Sequence, residues 1–322
     1  METRVAIVTG ASSGIGEATA ILFAERGWAV VLAARSAEKL AAVAHGIRER
    51  GGTALPVRTD VTNAADRVRL VEQTLAAFGR IDALINNAGM GISGTIETLD
   101  LDDMAYVFDL NVLTPLALTQ AVVPYMRQQA WGSNGLRGVI VNVSSIIEAL
   151  PVPFMNGYGA TKAALAYFTD AAAVELARDR IAVVRVTPGL TSTGFEDNIR
   201  ASGVGVSFEQ LLAKASLLKT APAGRAAEKI WRAVGKGKTL RAWPLRDRVV
   251  VIVARLFPRL VNRLLIAATR RYTSPEGTPT ADDVGRDLRT LGLTAGSAAG
   301  ATAAIAVAAW LYLHRHRGPV HS

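Results

Sequence analysis

The chain has no cysteine among its 322 residues. Disulfide staples, thiol nucleophiles and thiolate metal sites are therefore excluded. Histidine is almost as scarce: His45, His314, His316 and His321 are the full set, and three of them crowd the C-terminus. A zinc-type site needs several such ligands converging from separate elements, so no metal is expected, and the terminal histidines read as part of a solvated basic tail. The sequence also lacks internal repeats. No apolar signal run precedes the strand-like residues 5–8, so a cytoplasmic catalytic domain is the expectation.

Half of the sequence is hydrophobic and 20% is charged, enough apolar surface for a sizeable core and too little charge for a disordered chain. The length allows two domains, or one large α/β domain with an extension. The formal net charge is +9. Residues 1–235 hold 22 basic and 22 acidic side chains, whereas residues 236–322 hold 14 basic and 5 acidic. The whole excess thus sits in the last quarter. A generally basic nucleic-acid-binding surface is not expected; a locally acting basic tail is.

Short apolar runs alternate with helix-like stretches through the first 190 residues. Strands are predicted at 5–9, 29–33, 54–59, 83–86, 139–143 and 182–186. Helices are predicted at 15–26, 37–50, 64–78, 101–129 and 158–178. Continuously apolar strands separated by helices predict an α/β fold of the Rossmann type, a doubly wound parallel sheet covered on both faces.

Between the first strand and first helix lies Thr9-Gly10-Ala11-Ser12-Ser13-Gly14-Ile15-Gly16. Glycines let a backbone turn sharply and approach a pyrophosphate, and a helix N-terminus offers N–H groups and partial positive charge to it. At the tip of the second strand, Ala34 stands where an acid would bind the ribose hydroxyls of NAD, and Arg35 follows. A guanidinium there suits a 2′-phosphate, which predicts NADP (NADPH) over NAD; it also suits a solvated helix start. Tyr158 and Lys162 lie four apart, on one face of a predicted helix. A neighbouring ammonium favours the phenolate and brings a tyrosine within reach of acid–base work near neutral pH. Alone, such a pair is common on helix surfaces. Ser145 ends the fifth strand, where it or Ser144 suits a turn or cap. Asn86-Asn87-Ala88-Gly89 ends the fourth strand, and Asn111 sits inside a long helical stretch where asparagine is mildly unfavourable.

Taken together, these pieces resemble the short-chain dehydrogenase/reductase family. The match rests on Thr9–Gly16, Asp60-Val61, the Asn-Asn-Ala-Gly run at 86–89, Asn111, Ser145, Tyr-Gly-Ala-Thr-Lys at 158–162, and Pro188-Gly189 followed by Thr193, in the family's order over residues 4–235. The resemblance implies hydride transfer between NADP(H) and a carbonyl or alcohol. It implies Tyr158 as general acid/base, Lys162 as its partner and a ligand of the nicotinamide ribose, Ser145 orienting the substrate oxygen, and Asn111 holding a water in the proton relay. It places Thr9, Gly10, Ser12, Ser13, Gly14, Ile15, Gly16, Arg35, Asp60, Val61, Asn87, Ala88 and Gly89 along the cofactor, with Pro188, Gly189, Thr191 and Thr193 at its nicotinamide end. It further implies a homodimer or homotetramer through helices 101–129 and 158–178. Two departures stand out: a long loop at 131–138, and a chain that runs well past the family's usual end. The segment 194–222, which in the family covers the substrate, mixes Phe195, Val204, Phe208, Leu211 and Leu217 with polar residues, which suits a hydrophobic small molecule.

That continuation divides into a basic amphipathic segment at 241–272, a linker at 273–292, an uncharged run at 293–313 and a basic tail at 314–322, after a catalytic domain at 1–240. Arg248, Arg255, Arg259, Arg263 and Arg270 form one helical stripe, with Pro258 expected to kink it. At 1.5 Å per residue the 21 residues of 293–313 reach about 31 Å, matching a bilayer core of about 30 Å. A membrane-associating extension, spanning at 293–313 and touching lipid through the Arg stripe, is therefore expected; a soluble packing helix is the other reading. Functionally, the alternatives are a dinucleotide sensor or membrane scaffold on the same fold.

Overall fold

The computed structural model describes residues 3–132, 134–188, 191–192, 195, 199–202, 221–237, 251–252, 256, 258–259 and 262–263. Six parallel strands form its sheet: β1 (Val5–Thr9), β2 (Ala29–Ala34), β3 (Thr53–Arg58), β4 (Ala83–Asn86), β6 (Gly138–Val143) and β7 (Ile181–Val186), in the order β3-β2-β1-β4-β6-β7. The order reverses between β1 and β4, so the crossovers leave a crevice at the carboxyl ends of those two strands. Two short parallel ladders stand apart from the main sheet: β5 (Gly91–Gly94) with β9 (Ile199–Ser202), and β8 (Thr191–Ser192) with β10 (Ala221–Pro222). The expected α/β doubly wound sheet is the observed one.

Strand alternation builds two cores. Ala6 and Val8 of β1 face one layer, packed with Val30, Leu32, Ile85, Val141 and Val184 against α1 (Gly14–Glu25), α2 (Ala37–Glu49) and α7 (Ala223–Lys236). Val5 and Ile7 face the other, with Val31, Leu84, Ile140 and Val183 against α3 (Ala64–Phe78), α5 (Thr114–Gln128) and α6 (Asn156–Glu175). Helix starts follow from side-chain caps: Ser36 accepts from Lys39 N–H at 3.3 Å and Asn63 from Asp66 N–H at 3.1 Å. Helix α3 ends at Gly79 in the left-handed region, φ +72°.

The helix predicted at 101–129 is broken into three parts. Helix α4 (Leu101–Phe108) passes into a π turn, Asp109–Leu113, before α5 begins. Asn111 therefore sits in widened backbone rather than a regular helix, which removes the propensity conflict noted in the sequence. This run, Leu101–Gln128, is also the one helix among the described residues long and apolar enough to cross a membrane, and half of its apolar window is buried inside the domain. The predicted span at 293–313 lies outside the described residues. Of the segment 241–272, residues 251–252, 256, 258–259 and 262–263 are described, and they are helical.

Candidate active site

The crevice is built first by Thr9. Its buried hydroxyl donates to Ile85 O at 3.1 Å and accepts the N–H groups of Asn87 at 2.9 Å and Ala88 at 3.0 Å. One side chain thereby ties the end of β1 to the end of β4. The Asn87 amide returns the connection, donating to Thr9 O at 3.0 Å and Gly10 O at 3.4 Å. The glycine-rich turn is pulled tight beneath these bonds. A Cβ on Gly16 would lie 2.1 Å from Gly10 O and 2.7 Å from Asn87 Nδ2, so only glycine lets α1 start this close to the turn. Ser13 caps α1 without a side-chain bond, so its hydroxyl does not take up the first-turn N–H groups.

Arg35 is exposed just beyond β2, beside Ala34. Asp60, following β3, is turned onto its own loop: its carboxylate accepts from Thr62 N–H at 3.0 Å and from the Thr62 hydroxyl at 2.7 Å. Its N–H donates to Asp66 at 2.8 Å, and that bond, with help from Arg69, holds the Asp66 carboxyl below the usual range. Val61 is buried beneath.

On the other side of the crevice, Asn111 joins two elements. Its amide donates to Met90 O at 2.8 Å and to Thr161 Oγ1 at 3.0 Å, and its carbonyl accepts from Met90 N–H at 3.0 Å. The side chain is thus spent on fixing the Gly89-Met90 backbone against α6. A Cβ on Gly89 would approach Asn111 Oδ1 to 3.0 Å and Lys162 Nζ to 3.6 Å, which puts the end of the β4 loop directly over the Lys162 ammonium.

Tyr158 and Lys162 occupy the first turns of α6 and are each 5% exposed. Lys162 Nζ lies 5.7 Å from the centre of the Tyr158 ring and donates to Val143 O at 3.0 Å. Burial pushes the lysine down to about 8, while the charge of Glu148 pulls the other way. The two serines at the end of β6 are not equivalent. Ser144 is buried and donates to Glu148 Oε2 at 2.5 Å; Ser145 is half-buried, and its hydroxyl accepts only weakly from Ile147 N–H at 3.4 Å. Of the two, Ser145 has the less committed hydroxyl.

Tyr158 also belongs to a small apolar cluster with Ile92, Val107, Ile147 and Met155, and Phe195 packs on its ring at 5.5 Å between centroids. Phe154, at the turn into α6, holds φ +65°, rare for a residue with a side chain. Arg200 of β9 closes the same edge, pairing with Asp103 of α4 and lying 4.4 Å over the Tyr106 ring.

Thr9, Gly10, Asn87, Asn111, Ser145, Tyr158 and Lys162 are therefore brought to one crevice. Pro188 follows β7 at its rim; Thr191 lies in β8, and Gly189 and Thr193 fall outside the described residues. Sequence reasoning passed over Glu148 and Arg185. Both are buried charges in apolar surroundings, Ile-Ile-Glu-Ala-Leu and Val-Val-Arg-Val, and an ionisable residue inside such a run is itself the signal that a partner waits in the fold.

The short chain dehydrogenase family model matches residues 4–203. Over 188 residues the chain is 40% identical to 11-beta-hydroxysteroid dehydrogenase A of Sesamum indicum, a match covering 58% of this chain and 52% of that protein, about half its length. It is 36% identical over 205 residues to the 3-oxoacyl-[acyl-carrier-protein] reductase of Synechocystis sp., covering 63% of this chain and 81% of that one. Among solved structures, a metagenomic short-chain oxidoreductase in complex with NADP superposes with a TM-score of 0.59 at 30% identity, covering 73% of this chain and 92% of the other. The chain belongs to the short chain dehydrogenase family of oxidoreductases.

Proposed function

We propose that this protein reduces a carbonyl, or oxidises the corresponding alcohol, with NADP(H) as the favoured nicotinamide cofactor. The observation that carries the reading is the buried pair at the head of α6: an ammonium 5.7 Å from the Tyr158 ring, bonded to Val143 O and pushed down to about 8. A buried ammonium beside a phenol stabilises the phenolate, which is what a tyrosine needs to exchange protons near neutral pH.

The cofactor's own chemistry, when bound, is delivery or removal of a hydride. The chain's residues supply the rest. The first-turn N–H groups of α1 and the tight turn at Gly10 and Gly16 would hold the pyrophosphate. Arg35, exposed at the tip of β2, pairs with a 2′-phosphate, whereas no acid stands there to accept ribose hydroxyls. Asp60 and Val61 would lie at the adenine end, and the Asn87-Ala88-Gly89 backbone would line the inner part of the dinucleotide site. The Ser145 hydroxyl donates to the substrate oxygen. Tyr158 Oη gives that oxygen its proton in reduction and takes it in oxidation. Lys162 holds the phenolate and the nicotinamide ribose. Asn111, with its amide committed to Met90 and Thr161, acts by fixing that backbone; a relay water would be held by the π-turn carbonyls rather than by the side chain.

The substrate class is apolar. Phe195, Ile92, Met155 and Ile147 pack around Tyr158, and two of the relatives are a hydroxysteroid dehydrogenase and a 3-oxoacyl-[acyl-carrier-protein] reductase, whereas a third is named for a polar sugar, a glucose 1-dehydrogenase. The exposed Tyr125, Tyr167 and Val174 on α5 and α6 suit pairing with a second copy. The basic, then uncharged, extension suits attachment to anionic lipid, with the catalytic domain in the cytoplasm; fractionation of chains with and without residues 241–322 tests that part. The deciding experiment for the function is cofactor consumption by the full-length protein against retinoid, steroid and acyl carbonyls, with NADPH and with NADH. Turnover of an apolar carbonyl with NADPH is expected. Cofactor binding without turnover of any carbonyl would instead favour a sensor on this fold.

A further inference from the structure

Behind the candidate site lies a buried charge cluster that the mechanism above does not use. Glu148, in the 3-10 turn Ile146–Ala149, has a side chain 5% exposed. Its Oε1 lies 3.5 Å from Arg185 Nε and its Oε2 accepts from the Ser144 hydroxyl at 2.5 Å. Arg185, 4% exposed on β7, also reaches Asp170 of α6 at 3.3 Å. A carboxylate and a guanidinium buried this deeply cost several kcal/mol each unless they are paired, so the pair has a reason other than bulk stability.

Its location supplies one. Arg185 is in register with Asn142 of β6, and Ser144 N–H donates to Val186 O at 2.9 Å. The clamp therefore grips the chain at Ser144, immediately before Ser145. Lys162 is anchored one residue earlier, on Val143 O. The same 3-10 turn rests on the first turn of α6, where Ile147 Cγ1 would stand 3.6 Å from a Cβ on Gly159, next to Tyr158. Glu148 thus touches the segment that carries Ser145 and faces the helix that carries Tyr158 and Lys162.

We infer that Glu148, clamped by Arg185 and Ser144, is a positioning residue for this chemistry: it fixes the turn that presents Ser145, and it supplies the fixed negative charge that faces the Lys162 ammonium. The inference rests on the roles proposed above for Ser145, Tyr158 and Lys162. Among the described residues, the contacts above tie Glu148 to Arg185 from β7 and to the charge of Lys162 from α6, and Arg185 in turn to Asp170 of α6. Replacing Glu148 by glutamine removes the one carboxylate among them that is buried and leaves Arg185 in place. With that carboxylate gone and the Arg185 charge remaining, a protonated lysine is disfavoured and its proton is lost at lower pH.

The test is direct titration of Lys162 in the full-length protein carrying 13Cε-lysine, the resonance assigned by its disappearance in Lys162→Met. The native midpoint is expected near 8. Glu148→Gln should move it down by about one pH unit, and a midpoint moved by less than about a fifth of that amount would overturn the inference. Ser144→Ala separates the two roles and serves if the glutamine variant does not fold. With NADPH and 9,10-phenanthrenequinone as the probe carbonyl, it should lower kcat by roughly tenfold through a loosened Ser145, with NADPH affinity and the Lys162 midpoint unchanged. A kcat within about twofold of native would refute the positioning role. Tyr158→Phe tells the two failures apart: if it keeps the quinone rate, the proposed mechanism falls; if it loses the rate while Glu148→Gln leaves Lys162 unmoved, the inference about Glu148 falls alone.

Discussion

Gly16→Ala separates cofactor binding from folding with a single methyl group. The new Cβ would sit 2.1 Å from Gly10 O and 2.7 Å from Asn87 Nδ2. Neither neighbour is a flexible side-chain end: one is backbone, and the other is an amide held by Thr9 O and Gly10 O. The turn must move away from α1, and the Asn87 bonds loosen with it. Their loss costs about 1 kcal/mol each at most, the 3.4 Å one less. Against this, alanine inside a helix is favoured over glycine by about 1 kcal/mol. Relieving the 2.1 Å overlap by moving backbone adds about 1–3 kcal/mol, so the balance is destabilising and the melting temperature should fall by about 2–4 °C for each kcal/mol of that cost. Cofactor affinity has no such compensation. A pyrophosphate held by N–H groups of the turn and the helix start depends on their convergence, and a charge-assisted bond of that kind contributes about 2 kcal/mol. Losing one corresponds to roughly a 30-fold weaker Kd. Fluorescence titration with NADPH, run beside a thermal melt, measures both. A Kd within about twofold of native with a shifted melt would refute the assignment of this turn to the pyrophosphate.

Further outcomes follow from the same geometry. Tyr158→Phe should bind NADPH normally and lose turnover by about 10²–10⁴-fold, read by steady-state kinetics on any carbonyl the native protein reduces; a near-native rate would rule out the phenol as the proton carrier. Arg35→Asp should weaken NADPH far more than NADH, because the exposed guanidinium is replaced by a charge that repels the 2′-phosphate; equal losses by titration would place the 2′-phosphate elsewhere. Stability should carry the mark of Lys162. The unfolded chain keeps that proton up to about pH 10.5, whereas the folded one releases it near 8, so between those values the unfolded state binds more protons and folding gains with rising pH. Compared with Lys162→Met, native stability should therefore climb by on the order of 3 kcal/mol across that window and run parallel below it; denaturant melts showing no such rise would contradict the burial of an ammonium.

What the sequence disclosed and what it hid divide along a physical line. Strands buried on both faces write themselves as unbroken apolar runs, so Val5–Thr9 and Ala83–Asn86 are legible to the residue. The turn at Thr9–Gly16 is legible because close backbone approach leaves glycine no substitute. The two-residue ladder β8–β10 is invisible, since its pairing is decided by distant chain and not by local pattern. The π turn at Asn111 was hidden for a related reason: one extra residue in a helical turn leaves the apolar spacing almost intact, and the only trace was an asparagine where helices disfavour it. Spacing alone also could not choose between Ser144 and Ser145. Either suited a turn, and the choice depends on Glu148, four residues on, reaching back to the first of them. Glu148 in turn is tolerable there because Arg185, from a strand 37 residues later, pairs with it. A buried charge in an apolar run therefore says that a partner exists without saying where. In this chain the partner stands directly behind the candidate site, so the two residues least explained by local pattern are the ones whose titration and kinetics will say most about how Ser145 and Lys162 are held.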